Sequence, residues 1–283
     1  MTYSAIHRLK RNLGKTLSYI ALGIIIFYML FPFIWTLITS FKTLDEVFMW
    51  PPTFFPRDFS VEGYANALFR SPVPVYVLNS LIYAVTTSMI VLVIATITTY
   101  GLSMYPYRGS NKIFIGFFFT RVVPTQILWL PLIVMYQRLG LMDTRVGLII
   151  FLIALCYPLC VWMLKGLFDA FPRDLIDSAA LDGCTRMSTL YKVVMPVIAP
   201  GVSAISMVSF LWAWSSFMFP FLLINSRELK PLTVGVYYFV GDEGIEWNSL
   251  AATEMMVVLP GILFFIIAQR HIVRGLTAGS MKD

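Results

Sequence analysis

The stretch that decides the fold is FPRDLIDSAALDGCTRMSTLYKVVMPVIAPG, residues 171–201, a polar and charged interruption between two long apolar runs. Residues 173–181 are good helix formers, and Gly183 suits the left-handed conformation that closes a helix. Residues 185–194 favour a second short helix that runs toward Pro196. The stretch therefore predicts two short helices joined by a glycine turn and closed by proline.

The first of these helices carries small residues that let another surface approach closely, and acidic and apolar residues surround them. The predicted contact residues are Asp177, Ser178, Ala179, Ala180, Asp182, Gly183, Met187, Leu190 and Tyr191. Two interpretations are open on composition alone. The stretch is either a docking surface for a groove on another protein or an ordinary re-entrant turn at a membrane interface.

The rest of the chain is strongly apolar. Of 283 residues, 58% are hydrophobic and 13% are charged, whereas soluble domains carry about 25% charged residues. Six apolar runs reach the roughly 20 residues that span a bilayer. They are 16–40, 77–104, 113–136, 146–164, 197–224 and 250–268. Because helices satisfy their own backbone in lipid, the sequence predicts an all-α integral membrane protein with six transmembrane helices.

Positive charge is distributed unevenly between the segments that connect these runs. With the N-terminus inside, thirteen Lys and Arg residues flank the inner side and seven the outer side. Positive residues favour the cytoplasmic side, so both termini are predicted to be cytoplasmic in a multi-pass protein. The net charge of +6 then reflects topology. The sequence has no basic stripe with interleaved aromatic residues, so it does not indicate nucleic-acid binding.

Residues that carry catalysis or bind metals are sparse. The chain has no GxxxxGK[ST] phosphate loop, so it cannot bind ATP in that way. His7 and His271 lie in the segments that flank the first and the last apolar run. No Ser/His/Asp or Cys/His arrangement can be assembled. Cys156 and Cys160 share one helical face without further ligands nearby, which favours small buried hydrophobic residues over a metal pair. A membrane enzyme is therefore disfavoured, and neither a catalytic nor a metal site is predicted.

Two groups of residues are candidates for the substrate pathway. Arg121 lies within a predicted span, where charges usually face a cavity or a partner, and Gln126 follows beyond Pro124. Arg121 is thus predicted to face a translocation path or its gate. Snorkelling to an interface or an interhelical pair is the alternative. Glu254, near the start of the last span, either pairs with another helix or lies at the interface.

The second group is the run Trp214, Ser215, Ser216 and Phe217. It offers an aromatic face next to two hydroxyl groups, and this combination suits a sugar. Core packing would explain the two rings equally well. The serines would in that case only hydrogen-bond the preceding helical turn.

The central stretch resembles the EAA loop of ABC-importer permeases, E-A-A-x-x-x-G with a downstream L-P. Residues 177–183 read DSAALDG, and Met195-Pro196 follows. Asp177 replaces the glutamate of the pattern, Ser178 replaces its first alanine, and Met195 replaces its leucine. Asp177 keeps the charge but reaches one methylene less far.

Other motifs are similar to those of carbohydrate-type permeases. Asn79-Ser80 opens the second span, and Leu139-Gly140-Leu141 with Asp143-Thr144 follows the third. Trp214 and Phe217 lie where the family often has W-N-E-F, with serines replacing its polar pair. The ending GLTAGSMKD, residues 275–283, is similar to the G-L-T-A-G-x-x-K-G tail of maltose-permease G-type subunits.

The resemblance implies a type I ABC-importer permease fold in the cytoplasmic (inner) membrane. It also implies three regions: residues 1–76 with the N-terminal segment, first helix and outer loop; residues 77–273 as the core transmembrane domain with the coupling loop 171–201; and residues 274–283 as a cytoplasmic tail that reaches into the ATPase interface.

The partners implied are a second permease subunit in a heterodimer, an ABC ATPase dimer that binds ATP and Mg²⁺ and seats the coupling loop, and an extracytoplasmic sugar-binding protein. This chain would bind no cofactor and would move a sugar or oligosaccharide by alternating access. The alternative is a stand-alone secondary transporter or channel. That class often shows inverted repeats and intramembrane acids, and neither is clear in the sequence.

Overall fold

The computed structural model describes residues 2–241 and 244–279, which are mostly helical. The α-helices are α1 (Thr2–Thr39), α2 (Leu44–Val47), α3 (Glu62–Phe69), α4 (Val73–Met104), α5 (Ser110–Val122), α6 (Trp129–Arg138), α7 (Arg145–Asp169), α8 (Asp174–Leu181), α9 (Arg186–Thr189), α10 (Met195–Trp214), α11 (Met218–Leu223), α12 (Leu232–Gly235) and α13 (Trp247–Gly279). Short 3-10 helices cover Thr125–Leu128, Arg227–Leu229 and Val236–Phe239, and Leu190–Val194 forms a π turn. Strands β1 (Val240–Gly241) and β2 (Gly244–Ile245) pair antiparallel.

The chain divides into two compact units. Unit 1 contains Met1–Ser71 and Tyr237–Met256, and unit 2 contains Pro72–Val236 and Val257–Asp283. The predicted tail, residues 274–283, is helical as far as Gly279. Residues 280–283 lie outside the described part of the chain.

Within the described residues, five helices are long and apolar enough to cross a membrane. They are Gly14–Thr39, Val73–Met104, Arg145–Asp169, Arg186–Trp214 and Trp247–Phe264. A sixth crossing results if Ser110–Val122 and Thr125–Arg138, which meet at 84°, form one broken span. These segments correspond to the six predicted spans, and the all-α membrane fold is confirmed.

The third and fifth predicted spans are nevertheless interrupted. The run 113–136 is broken because Val123 and Pro124 are extended; a proline disfavours the helical conformation of its predecessor. The run 197–224 is broken after Trp214. Pro220 has no N–H to bond the carbonyl of Ser216, and the hydroxyl of Thr233 donates to that oxygen instead, at 2.7 Å.

Pro196 does not close the coupling loop, so that expectation was wrong. The N–H of Met195 bonds the carbonyl of Leu190, five residues earlier, and α10 follows directly. This wide turn accommodates Pro196, whose ring would clash with the carbonyl of Lys192 in a regular helix. Pro200 lies inside α10. The second short helix therefore continues into a transmembrane helix without a break.

The core of unit 2 is formed where α4, α7 and α10 pack together, with α5 against α7. Val91, Val161 and Leu164 are completely buried there. Cys156 and Cys160 are also completely buried, as predicted for small apolar residues, and the Sγ atom of Cys156 lies 3.7 Å from the carbonyl oxygen of Ser209. Within residues 2–241 and 244–279, no three His, Cys, Asp or Glu side chains are placed to hold a metal ion.

In unit 1, the segment after α1 is organised around a buried carboxylate. Glu46 accepts hydrogen bonds from the Thr53 hydroxyl at 2.6 Å and from the Arg57 N–H at 3.0 and 3.1 Å. The Lys42 ammonium group donates to the Thr53 carbonyl and lies 5.0 Å from the centre of the Trp35 ring. The Thr53 hydrogen bond, above all, lowers the pKa of Glu46. This proline-rich segment is therefore ordered by polar contacts.

Candidate functional site

Helix α8 has clear local signals at both ends. Asp174 and Asp177 lie in its first turn, where the helix dipole favours negative charge. At its end Gly183 has a φ of +79°. The N–H of Cys184 bonds the carbonyl of Ala179 at 2.9 Å, and the N–H of Gly183 bonds that of Ala180 at 3.1 Å. These two bonds form a Schellman motif, so the predicted helix and glycine turn are confirmed.

Helix α9 starts at once after this turn. The hydroxyl of Thr185 accepts from the N–H of Ser188 at 3.3 Å, and the hydroxyl of Thr189 donates back to the Thr185 carbonyl at 3.1 Å. A Thr cap of this kind satisfies an N–H that has no helical partner. The two short helices are thus fixed by their own capping residues.

One side of this pair of helices is buried in the core of unit 2. Phe171, Ile176 and Leu190 belong to the core cluster that also contains residues of α4, α7 and α10, and Ala179 is 4% exposed. The sequence placed Ala179 and Leu190 among the contact residues, and the structure contradicts this. Ala179 follows Ile176 by three positions and so shares its inward face, and Leu190 begins the π turn that packs against the bundle.

The opposite side is open. Its exposed residues, called here the α8–α9 face, are Asp177, Ser178, Ala180, Leu181, Asp182, Gly183, Met187 and Tyr191. Leu181 is 90% exposed, Met187 45% and Tyr191 60%. Sequence reasoning did not single out Leu181, although it lies four positions after Asp177 and therefore on the same helical face.

The α8–α9 face presents carboxylates beside an apolar centre, and Arg186 of α9 is exposed as well. Asp174, Asp177 and Asp182 are all exposed. In the described part of the chain the one ion pair joins Lys165 to Asp169 at 2.5 Å, one turn before this region. The face therefore offers carboxylates and an exposed leucine to a partner that has basic residues and an apolar pocket.

A tyrosine ties α9 to the end of α4. The hydroxyl of Tyr100 donates to the carbonyl of Arg186 at 2.9 Å and lies 3.1 Å from the hydroxyl of Tyr105. The guanidinium group of Arg186 lies 4.6 Å from the centre of the Tyr105 ring. These polar and cation–π contacts hold α9 against the end of α4. No local sequence pattern indicates this contact.

The candidate pathway residues are scattered in the structure. Arg121, in the last turn of α5, places its guanidinium 4.6 Å from the centre of the Trp212 ring of α10. This is the interhelical pairing that the sequence left open. Gln126 is exposed in the short 3-10 helix that follows the break at Pro124.

Trp214 is buried rather than presented to a cavity. It is 5% exposed, its Nε1–H donates to the carbonyl of Val257 at 2.9 Å, and its ring stacks on Phe210 at 5.9 Å. The hydroxyl of Ser215 donates to the Leu211 carbonyl at 2.8 Å. Core packing and a bond to the preceding turn therefore explain these two residues.

The remaining two residues of that run belong to the break between α10 and α11. The carbonyl of Ser216 accepts from Thr233, and the ring of Phe217 stacks on that of Phe221 at 5.5 Å. The structure favours the packing alternative for Trp214 and Ser215, and a role of Trp214, Ser215, Ser216 and Phe217 in binding sugar stays a prediction.

Residues 107–278, more than half of the chain, match the family model described as "Binding-protein-dependent transport system inner membrane component". The chain belongs to this family. The expected resemblance is thereby confirmed: the chain is an inner-membrane transport subunit, and its family is one of transport subunits and not of enzymes.

Similar proteins cover nearly the whole length of this family member. It is 32% identical to the sulfoquinovosyl glycerol transport system permease protein SmoH of Agrobacterium fabrum, over 95% of this chain and 94% of that protein. It is 30% identical to the trehalose/maltose transport system permease protein MalG of Thermococcus litoralis, over 89% of this chain and 91% of that protein. It is 28% identical to the diacetylchitobiose uptake system permease protein DasC of Streptomyces coelicolor, over 97% and 100%.

Among solved structures, the fold is similar to a chain from a bacterial ABC transporter involved in the import of the acidic polysaccharide alginate. The TM-score is 0.82, with 20% sequence identity over 92% of this chain and 97% of that one. At this identity the likeness establishes the fold of an importer permease.

Proposed function

We propose that this chain forms one half of the transmembrane pathway of an ATP-driven importer for a sugar or oligosaccharide. The names of its relatives support a carbohydrate substrate, since they specify sulfoquinovosyl glycerol, diacetylchitobiose and trehalose or maltose. A second permease subunit would complete the pathway. An ATPase dimer would bind ATP and Mg²⁺, and an extracytoplasmic binding protein would deliver the substrate.

The observation that carries this proposal is the α8–α9 face. Its exposed residues are held rigid by the capping bonds at Gly183 and Thr185, and its inner side is anchored by Ile176 and Leu190. A groove on the ATPase would receive Leu181 as an apolar contact and pair basic residues with Asp177 and Asp182. Movement of the ATPase would then displace the whole bundle as a rigid body.

We infer the membrane orientation from the charge distribution. Both termini and residues 171–201 would lie in the cytoplasm, and the segments 41–76 and 225–249 would lie outside. The division into regions 1–76, 77–273 and 274–283 is proposed on the same basis, with the C-terminal tail directed toward the ATPase.

Arg121 and Gln126 are the proposed contacts to the translocation pathway. Both are exposed within or beside the broken span, and the stacking of Arg121 on Trp212 would orient its charge. We expect Arg121→Ala to change the kinetics of transport, and Arg121→Lys to retain part of the function. Unchanged transport kinetics of Arg121→Ala in a stably assembled complex would contradict this role.

The function is tested by purification and reconstitution. The chain should co-purify with a second permease and an ATPase, and the complex in proteoliposomes should hydrolyse ATP faster when binding protein and a sugar are added. A panel of sugars and oligosaccharides identifies the substrate. Ion-coupled uptake by the purified chain alone would instead support a secondary transporter and overturn the proposal.

A further inference from the structure

Residues 225–232, which run from the end of α11 to the first residue of α12, are attached to the bundle through their backbone. The amide nitrogen of Asn79 donates to the carbonyls of Glu228 and Lys230, at 2.7 and 3.0 Å. The hydroxyl of Tyr83 donates to the carbonyl of Leu229 at 2.8 Å. Both donors belong to α4, so three consecutive carbonyls of this segment are held by one helix.

The start of the same segment is held by Asp143. One carboxylate oxygen accepts from the N–H groups of Asn225 and Ser226, each at 2.9 Å, and the other accepts from the hydroxyl of Ser226. The N–H of Asp143 donates to the Leu223 carbonyl at 2.9 Å. Asp143 has a φ of +54°, a conformation that is uncommon outside glycine, so the backbone conformation of this turn serves to aim the carboxylate.

Further contacts fix the register. The hydroxyl of Ser80 accepts from the N–H of Leu232 at 2.7 Å. The Arg145 guanidinium donates to the amide oxygen of Asn79 at 3.2 Å, which orients that amide toward the segment. Asn79-Ser80 and Asp143-Thr144, the two motifs that are far apart in the sequence, thus meet at one segment.

Three side chains of the segment are turned to the surface. Asn225, Arg227 and Glu228 are exposed, whereas Leu232 and Val234 are buried. A backbone that is fixed before a partner binds loses less conformational entropy on binding. The segment is therefore a pre-organised surface with mixed charges.

This surface and the α8–α9 face lie at opposite ends of α7. Asp143 is two residues before the first residue of α7, and α8 begins five residues after its last. The 25 residues of α7 correspond to a length of about 37 Å. One continuous helix therefore connects the two surfaces.

We infer that Asp143, Asn79 and Tyr83 are positioning residues: they hold residues 225–232 as a rigid extension of α4 and α7, so that the extracytoplasmic binding protein, docked on the exposed side chains, responds to the conformation of the bundle. The choice of partner rests on the proposed function. The attachment of the segment does not, and it can be measured separately.

The attachment is tested by hydrogen exchange on the purified complex. Asp143→Gly removes the carboxylate and retains a residue that adopts a positive φ without strain. Asp143→Asn keeps an acceptor oxygen and tolerates the same backbone conformation. We expect the amides of Asn225 and Ser226 to exchange about tenfold faster or more in the glycine variant and to be close to wild type in the asparagine variant.

The response is tested by ATPase assays of the complex in proteoliposomes. For Asp143→Gly we expect unchanged basal hydrolysis and an approximately tenfold higher concentration of binding protein for half-maximal stimulation. Asp143→Asn should restore most of the response. Tyr83→Phe removes one hydroxyl group on α4. It should also raise the concentration of binding protein for half-maximal stimulation, but by a smaller factor than Asp143→Gly. Gln137→Ala, an exposed change at the end of α6, serves as the matched control without effect.

Unchanged exchange at residues 225 and 226 in Asp143→Gly would overturn the inference, and so would faster exchange with unchanged stimulation. A wild-type complex that never responds to a binding protein would contradict the proposed function. The exchange result would then still decide whether Asp143 holds the segment.

Discussion

Gly183 is the residue whose conformation most constrains the coupling region. Its φ of +79° is unfavourable for other residues, and no atom lies within 4 Å of the position that a Cβ would occupy. The requirement is therefore one of backbone conformation and not of space. The dipeptide Asp182-Gly183 made this turn predictable from sequence.

We expect Gly183→Val to uncouple ATP hydrolysis from transport in an assembled complex. The left-handed conformation costs about 1–2 kcal/mol for a residue with a Cβ, and a shifted turn would misplace Leu181 and Asp182. Gly183→Asn is the control, because asparagine tolerates this conformation, and it should retain most transport. Sugar uptake and ATPase rate are measured on the same proteoliposomes. Full coupling in the valine variant would show that the turn is not needed.

A substitution of Leu181 tests the function of the α8–α9 face without a large change in stability. Because Leu181 is 90% exposed, Leu181→Asp should change the free energy of unfolding of the purified chain by no more than about 0.5 kcal/mol. We nevertheless expect loss of ATPase binding, since a charge would enter an apolar pocket. Leu181→Met retains apolar reach and is the matched control. Co-purification of the ATPase with the aspartate variant at wild-type yield would contradict this role.

The residues that sequence reasoning assigned wrongly share a physical cause. Ala179 and Leu190 have the composition of contact residues, but which side of a short helix turns inward depends on the bundle against which it packs. For Leu190 the orientation also depends on a π turn, which has no simple sequence pattern. Capping residues, in contrast, act over three or four positions and were predictable.

At the scale of elements, the prolines show how far local rules extend. Pro124 interrupts a predicted span. Pro220 follows a second interruption, where the hydroxyl of Thr233 bonds the Ser216 carbonyl that has no N–H partner at Pro220. Pro196 instead lies in the first turn of α10, directly after the π turn that accommodates its ring. The sequence shows where a helix is weakened, and tertiary contacts decide whether it ends.

The segment after α1 provides a prediction at this scale. We expect Glu46→Ala to destabilise it by about 2 kcal/mol, because a buried carboxylate with three hydrogen bonds is lost, and limited proteolysis between residues 48 and 58 should become faster. Glu46→Gln keeps one acceptor oxygen, so its proteolysis rate should lie between those of wild type and of Glu46→Ala. Equal proteolysis of the alanine variant and wild type would contradict the importance of this cluster.

The same carboxylate sets the pH dependence of the segment. The Thr53 hydrogen bond holds the pKa of Glu46 below its ordinary value of 4.5. Its contribution to stability is therefore complete above that value and is lost as the pH falls through the lower pKa of the folded state. The rate at which an acid-tolerant protease cleaves the segment should be constant from neutral pH to about 5. It should increase only under more acidic conditions. Acceleration near neutral pH would contradict this assignment.

At the scale of the whole molecule, the class of fold was predictable and the long-range contacts were not. Six apolar runs and a charge bias suffice for a helical membrane protein, because the bilayer imposes length and hydrogen bonding. The bonds between Asn79 and Glu228 join residues 149 positions apart. No local pattern encodes that separation, and the motif Asn79-Ser80 could be noticed but not interpreted.

These contacts attach both proposed partner surfaces to the ends of α7 within unit 2. The α8–α9 face follows the end of α7, and residues 225–232 are held at its start. Binding at either surface therefore acts on the same packed helices, α4, α7 and α10, and alternating access requires little deformation of the core.

The most direct test of the account is a site-specific cross-link between the α8–α9 face and the ATPase. A cysteine replaces Leu181 in a Cys184→Ser background, and the assembled complex is treated with a short thiol-reactive photocross-linker. We predict that residue 181 forms a covalent product with the ATPase and that the product forms only in the assembled complex. An active complex in which residue 181 cross-links to lipid or to the second permease, and never to the ATPase, would contradict the central claim.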